Sequence, residues 1–500
     1  MINALSKSKL LAYRQCSKRL WLEVHHPELR ADSDRAKSIF EAGHQVGEIA
    51  RQLYDPDQRG VLIELDRTAV PHALAKTTEY LTSSQPIFEA GFSADGALAF
   101  ADAMLPVGED SNRTWRLIEV KSSTSVKDYH RDDVAVQAFV ARRSGVALSS
   151  ISLAHIDSKW VYPGGGDYQG LLTEQDLTDE AFARESEVSA WIDEAQGIVS
   201  KKTEPTDKIG RQCDEPYECG FKGYCGRHAV QPTYPVSWLP RIQANALKAH
   251  LENEKITDLR DVPDELLNET QLRVKTHTLN ASTYFDATGA AADLAAHPLP
   301  AYFLDFETIS FAVPIWKGTR PYQHIPFQFS LHHMSAGGDL KHTSFLDLSG
   351  EDPSAGFAAA LIKSCGEHGP VFAYSAGFEG ARIRELAARL PQYERPLLAL
   401  VERLVDLLKV ASRRFYHPSQ QGSWSIKKLL PVIAPELRYD ALDGVQDGNM
   451  AMQVYVEAVN PSTSASRKTQ IERELVEYCK LDTLALVRLW QFFTNDGKLP

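Results

Sequence analysis

Arg116-Leu117-Ile118-Glu119-Val120-Lys121, read with the run Leu98-Ala99-Phe100-Ala101-Asp102 ahead of it, decides the fold of the first half of the chain. Both stretches have the length and apolar content of strands. Successive side chains of a strand point to opposite faces, so Glu119 and Lys121 share one face. Asp102 follows the run Leu98–Ala101 on the neighbouring strand. Two carboxylates placed this way offer hard oxygen ligands to Mg²⁺. A lysine beside them can orient or activate an attacking water and offset charge on a scissile phosphate. His44, in Glu41-Ala42-Gly43-His44 on an upstream helix, is a further candidate ligand. Gln137, on the helix that follows, is a candidate to steady Lys121 or the phosphate.

Outward from this stretch, residues 1–228 read as an α/β unit. Helices are expected over 6–23, 35–54 and 134–142, and strands over 86–92, 98–105, 114–120 and 151–155. The arrangement resembles the PD-(D/E)XK nucleases, specifically the RecB-like exonucleases and their CRISPR-associated relatives, over roughly residues 5–228. The resemblance implies a restriction-endonuclease-like fold and Mg²⁺ or Mn²⁺ held by His44, Asp102, Glu119 and the backbone carbonyl of Val120, with Lys121 aiding catalysis. The family often has tyrosine four residues after the glutamine; here Gln137 is followed by Ala141.

Cysteines flank the same unit: Cys16 near its start, then Cys213, Cys219 and Cys225 near its end. Four thiolates in such a set suit a soft metal or an iron–sulfur cluster. The layout resembles the cluster-bearing subset of RecB-like nucleases and implies a 4Fe–4S cluster. Five residues separate Cys213 from Cys219, where the family usually has two between the first pair. Zinc on these four cysteines, or with His228 replacing one, stays open. Cys365 and Cys479 fall outside the pattern and read as core residues.

Residues 229–297 carry several prolines and short helical patterns and read as a small helical connector. From 298 onward a second α/β unit is expected: a strand opening at Tyr302, hairpin partners over 326–334 and 342–348, a strand over 371–374, and helices over 379–390, 397–412 and 468–493. Asp305-Phe306-Glu307-Thr308 ends the first of these strands, its two carboxylates on one face as a two-metal site requires. Glu379 opens a helix just after a strand. Tyr478 and Asp482, four apart, project from one helical face. The pattern resembles the DEDD exonucleases, in the subgroup with tyrosine on the last motif, over about residues 298–495. It implies an RNase H-like fold, two metal ions and 3′→5′ shortening, with Tyr478 orienting the water. Glu379 stands where the family usually has aspartate. Asp406 reads equally as a supporting acid or a helix-surface charge, and Trp424 as a base-stacking residue or part of a helix entry capped by Ser425. The order of both halves, with Pro321-Tyr322-Gln323-His324-Ile325-Pro326-Phe327-Gln328, is similar to a bacterial family of uncharacterised nuclease-like proteins that fuse these modules.

The composition sets outer bounds. Of 500 residues, 43% are apolar and 24% charged, too long a chain for a single core. A net charge of −12 argues against nonspecific coating of duplex DNA, which a basic surface favours. Six cysteines in this length are no disulfide framework. No apolar run reaches the roughly 20 residues of a membrane span, and no apolar stretch follows Lys7 and Lys9, so a cytoplasmic protein without membrane contact is expected. The combined expectation is a metal-dependent nuclease acting on single-stranded DNA ends, in DNA repair or defence against foreign DNA. A nucleic-acid-binding adaptor with one or both sites inactive, or an exoribonuclease acting through the second module, stands as the alternative.

Overall fold

The computed structural model describes residues 4–64, 70–108, 112–227, 232–242 and 245–498. The fold is mixed α/β. The chain divides into two compact units, residues 1–229 with 311–323, and residues 230–310 with 324–500. The stretch expected as a connector thus packs within the second unit. Its described part forms short helices (Asn245–Asn253, Glu269–Leu279, Ala287–Ala295) and the two-residue strand Tyr284–Phe285.

The first unit is built on a seven-stranded mixed sheet. In chain order its strands are β1 (Leu5–Ser6), β2 (Val61–Leu62), β3 (Ile87–Ala94), β4 (Ala97–Val107), β5 (Thr114–Lys121), β6 (Leu148–Ile156) and β7 (Leu172–Asp176). They lie in the order β2-β3-β4-β5-β6-β7, with β1 paired to β4. β5 and β6 run parallel, so their connection must cross over; it does so through helix Asp128–Arg143. That helix buries Val134, Ala138 and Val140 against Trp115 and Leu117 of β5. Ile118 turns to the other face, toward Phe88 and Ala103. The alternation that places Leu117 in the core therefore drives Glu119 into the same interface.

Two local departures matter for the site. The helix expected over 6–23 is two helices, Lys7–Gln15 and Ser17–His25, divided at Cys16, whose backbone is extended (φ −166°, ψ 128°). Apolar periodicity runs through both halves, so sequence alone hides the break. The β4–β5 ladder covers Ala103–Val107 against Ile118–Thr114, short of Asp102 and Glu119.

Residues 311–323, the connection leading to His324, pack inside the first unit. Tyr162 N–H donates to Thr319 O at 2.9 Å, Gly318 N–H returns to Tyr162 O at 2.8 Å, and the Tyr322 hydroxyl donates to Ser122 O.

The second unit carries β8 (Tyr284–Phe285), β9 (Ala301–Ser310), β10 (His324–Met334), β11 (Leu340–Leu346), β12 (Val371–Ala373), β13 (Leu404–Asp406) and β14 (Phe415–Tyr416). Five of them form a sheet in the order β11-β10-β9-β12-β13, antiparallel from β9 through β11 and parallel from β9 through β13. β8 and β14 form a separate antiparallel pair. One cluster packs Phe303, Phe372 and Leu486 together, and another packs Leu304, Phe329 and Phe357.

Two expectations change here. Asp305 and Glu307 lie in the middle of β9 rather than at its end. The helix expected over 397–412 is helix Glu394–Val401, then β13, then helix Leu407–Arg414. A short aliphatic run such as Leu404-Val405 cannot be told from helix by periodicity. Arg403 fixes the strand, donating to the carbonyls of Cys365, Gly366, His368 and Gly369 at 2.7–2.9 Å. Among the described residues no helix is long and apolar enough to cross a membrane.

Candidate active sites

In the first unit the strands part at Asp102, and its side chain fills the gap: Val120 N–H donates to Asp102 Oδ2 at 2.6 Å. Glu119, 1% exposed, faces helix Asp128–Arg143. Lys121 Nζ donates to Glu119 Oε1 at 2.5 Å and to Asp133 Oδ2 at 2.6 Å. Gln137 Nε2 donates to Glu119 Oε2, and to Asp133 Oδ1 at 3.3 Å, leaving its own Oε1 buried without a partner. The structure therefore brings Asp102, Glu119, Lys121 and Gln137 together. His44 does not join them by a bond: it is exposed on helix Asp34–Tyr54 and is felt electrostatically at Glu89.

Sequence reasoning missed three residues of this cluster. Lys7, from the first helix, lies 2.8 Å from Glu119 Oε1 and 3.0 Å from Asp133 Oδ1. Asp133 is the shared acceptor of both lysines, and its spacing of four from Gln137 on a helix was the available signal. Glu89 sits in β3 with φ +57°, a left-handed backbone that is costly for a residue with a Cβ. Burial and neighbouring charge together set the ionisation pattern. Burial raises Asp102 well above its ordinary value and Glu119 reinforces it; Glu89 is raised by burial and then by Glu119. Burial opposes the charge on Lys121 and Lys7, but Asp133 and Glu119 outweigh it and both ammoniums are held above their usual range. Burial likewise opposes ionisation of Asp133, yet Lys121 and Lys7 hold it well below the carboxylate range.

The cysteine set assembles around the break at Cys16. Gln15 Nε2 donates to Gln212 O and Tyr217 O, both at 2.7 Å, pinning the 212–217 loop beside the first helix. Cys219 N–H donates to Cys213 O at 2.8 Å. All four cysteines are free thiols. Burial pushes Cys225 up to about 11, and it feels the charges of Cys219, Cys16 and Cys213. Phe221 and Trp21 wall the set on its apolar side. His228, the alternative ligand, lies outside the described residues.

In the second unit, helix Ala465–Thr494 lies along the middle of β9 and β10, where Gln328 Nε2 donates to Leu475 O at 2.8 Å. It delivers Tyr478 and Asp482 to the strand that carries Asp305 and Glu307. Asp305 is raised well above its ordinary value by burial, then by Asp482, Glu307 and Glu379, so all four acids converge. Burial and Asp482 push Glu307 up to about 8. Burial also takes Glu379 to about 8, with Asp406 adding to it, and its Oε2 has no hydrogen-bond partner. Asp482 is raised to about 6 by burial, against hydrogen bonds from Tyr439 and Tyr478. The Tyr439 hydroxyl donates to Asp482 Oδ1 at 2.5 Å, and the two tyrosine rings lie 6.2 Å apart. Glu307 also opens onto a cavity of about 450 Å³ lined by Phe306, Phe378, Asp447, Gly448 and Asn449.

Tyr439 and Cys479 are the residues the sequence did not offer; the first lies in a short turn without periodicity, and the second reads as plain core. Asp406 caps helix Leu407–Arg414 through Leu408 N–H at 3.0 Å and also accepts Ser375 N–H at 3.1 Å. Trp424 is a core residue: it is 8% exposed and its Nε1–H donates to Phe415 O at 2.7 Å. Ser425 holds the N-cap position of helix Ile426–Ile433, with no side-chain hydrogen bond to it.

Residues 302–425 match the family model described as a domain of unknown function, DUF2779. The match includes Asp305, Glu307 and Glu379 and ends before Tyr478 and Asp482. No curated protein matches the chain.

Proposed function

We propose that this protein is a divalent-cation-dependent nuclease with two active sites, working on single-stranded DNA ends, in repair or defence against foreign DNA. The observation that carries the reading is the convergence of Asp305, Glu307, Glu379 and Asp482 with two tyrosines on the mixed five-stranded sheet. The strand order and directions of that sheet support an RNase H-like identity for the second unit. The parted β4–β5 ladder with Asp102, Glu119 and Lys121 at the gap supports a restriction-endonuclease-like one for the first.

At the second site Asp305, Glu307, Glu379 and Asp482 would hold Mg²⁺ or Mn²⁺, which when bound would activate water and stabilise the leaving oxygen. Tyr439 and Tyr478 bond Asp482 and fix its carboxylate; Tyr478 is the group to orient the water. Phe378 lines the cavity beside Glu307 and offers a face for stacking a terminal base. In the first unit Asp102 and Glu119 would hold the ion while Lys121 meets the phosphate.

The four thiols of the first unit are the donors that a 4Fe–4S cluster would take, each thiolate on a separate iron, with zinc as the alternative. Free thiols and thiolate-held iron suit a reducing, cytoplasmic setting.

One observation favours a second reading of the first unit. Lys7 bridges Glu119 and Asp133, a balance that suits a site binding nucleic acid without turnover. The test is purified protein with Mn²⁺ on single-stranded DNA and RNA, each labelled at either end. Stepwise loss from the 3′ end of DNA is expected; an equal rate on RNA would move the substrate, and no cleavage of either would leave a binding protein.

A further inference from the structure

The second carboxylate site contains a sulfur. Cys479 is fully buried, one residue past Tyr478 on the same helix. Its thiol donates to Asp305 Oδ2 at 3.8 Å and to Asp305 O at 3.9 Å. One ligand atom each from Asp305, Glu307 and Cys479 lies within 4.8 Å of the others. An independent observation points to a cation at the same place: Glu379, 3% exposed, leaves Oε2 unpartnered while its charge is felt at Asp305.

Magnesium has no use for a thiol, since it takes oxygen ligands. A thiolate with two carboxylates is instead a donor set for zinc. Zn–S bonds of about 2.3 Å and Zn–O bonds of about 2.0–2.2 Å put tetrahedral ligands roughly 3.5 Å apart, within the spread seen here. Glu307, one of these three residues, lines an open cavity.

We propose that Asp305, Glu307 and Cys479 form a zinc-selective seat inside the second site, and that Zn²⁺ held there blocks the reaction Mg²⁺ or Mn²⁺ supports. The blocking half rests on the nuclease reading; the seat itself rests on the donor geometry. On binding, the S–H bond of Cys479 breaks and a Zn–S bond forms; that proton and those carried by the Asp305 and Glu307 carboxyls leave to water as their oxygens bond the ion, with no change of oxidation state. The ion then occupies both β9 carboxylates that the catalytic ions need. Zinc outbinds manganese at such ligands, and the thiolate widens that preference.

The test uses the full-length protein and its Cys479→Ser, Cys479→Ala and Asp305→Asn variants, titrated with Co²⁺ as a spectroscopic substitute for zinc. Subtracting a Cys479 variant removes the contribution of the other cysteines. A thiolate–Co²⁺ charge-transfer band is expected in that difference, displaced by Zn²⁺ and lost also in Asp305→Asn, which keeps the sulfur. Zn²⁺ is then added to the Mn²⁺-supported shortening of end-labelled single strands, with each rate referred to the same protein without zinc. The Zn²⁺ concentration giving half-inhibition is expected to rise at least tenfold in Cys479→Ser. Identical Co²⁺ spectra in the parent and both Cys479 variants would overturn the seat, and an unchanged half-inhibition would overturn the block. If the parent shortens no strand in Mn²⁺, the nuclease reading and the block fall together while the difference spectrum still decides the seat.

Discussion

The first carboxylate site is hydrogen-bonded to two ammoniums, whereas the ammonium that acts on the second is bonded to a backbone carbonyl. Around Glu119, four acids (Glu89, Asp102, Glu119, Asp133) share the ammoniums of Lys7 and Lys121, so the formal balance is four negative against two positive. On the reading proposed above, one divalent ion would neutralise it. Around Asp305, four acids face one another, and the cation that acts on Glu307 and Asp482 is Lys427, whose ammonium donates to Gln446 O at 2.7 Å. The same residue type, packed to similar burial, thus meets different electrostatics according to whether a lysine hydrogen-bonds into the cluster.

The hardest test of this contrast is removal of a ligand from each site. Asp305→Asn or Asp482→Asn is expected to cut 3′ shortening by roughly a thousandfold or more, about 4 kcal/mol of lost transition-state stabilisation. Asp102→Asn should spare that shortening and remove any second product pattern. Gel analysis of end-labelled strands, single mutants against the double, makes the comparison. If Asp305→Asn alone abolishes every product, the first site is a substrate guide and the contrast becomes one of catalysis against binding.

Protons give the next largest effect. With Glu307 and Glu379 raised to about 8, both are protonated at neutral pH before metal enters. Metal must displace those protons, about two of them. Apparent Mn²⁺ affinity of the second site should therefore climb up to about a hundredfold per pH unit between roughly pH 6 and 8. Titration calorimetry in buffers of different ionisation enthalpy counts the protons. The stability sign follows from the same shifts. A carboxyl raised in the folded state binds more protons folded than unfolded, so metal-free stability falls as pH rises from about 4.5 through 8. Melting temperatures that rise over that window without metal would break the argument.

How much of this was legible beforehand depends on the kind of signal each residue leaves. Asp305, Glu307, Tyr478 and Asp482 were readable because strand period and helix period place them on single faces, and both elements formed. The mixed α/β class was readable for the same reason. Lys7, Glu89 and Tyr439 were not, since nothing in their neighbouring sequence says which distant segment they will meet. Glu89 even violates its strand, with a backbone that only the closed fold can impose. Cys479 was hidden in plain view: a small apolar-seeming residue in a helix interior gives no pattern until Asp305 is beside it. The break at Cys16 and the strand inside 397–412 share one cause, apolar runs whose period fits more than one backbone.

The smallest effect sharpens the contrast most directly, because it converts the first site toward the second. Lys7 donates to Glu119 and lies 3.0 Å from Asp133, while Lys121 also holds both acids. Lys7→Met keeps the length and the apolar stem but removes one positive charge. Asp133 retains Lys121, so the metal-free fold should lose only about 1–3 kcal/mol, the scale of hydrogen bonds to charged groups. The seat then moves from a formal deficit of two toward three, and a divalent ion should bind it more tightly by on the order of 1–2 kcal/mol, roughly tenfold. Mn²⁺ titration of Lys7→Met in the Asp305→Asn background isolates the first site. Tighter binding with faster cleavage would make Lys7 a brake on an active site. Tighter binding with no cleavage would assign the first unit to holding the strand, and weaker binding would mean that Lys7 shapes the seat rather than competing for it.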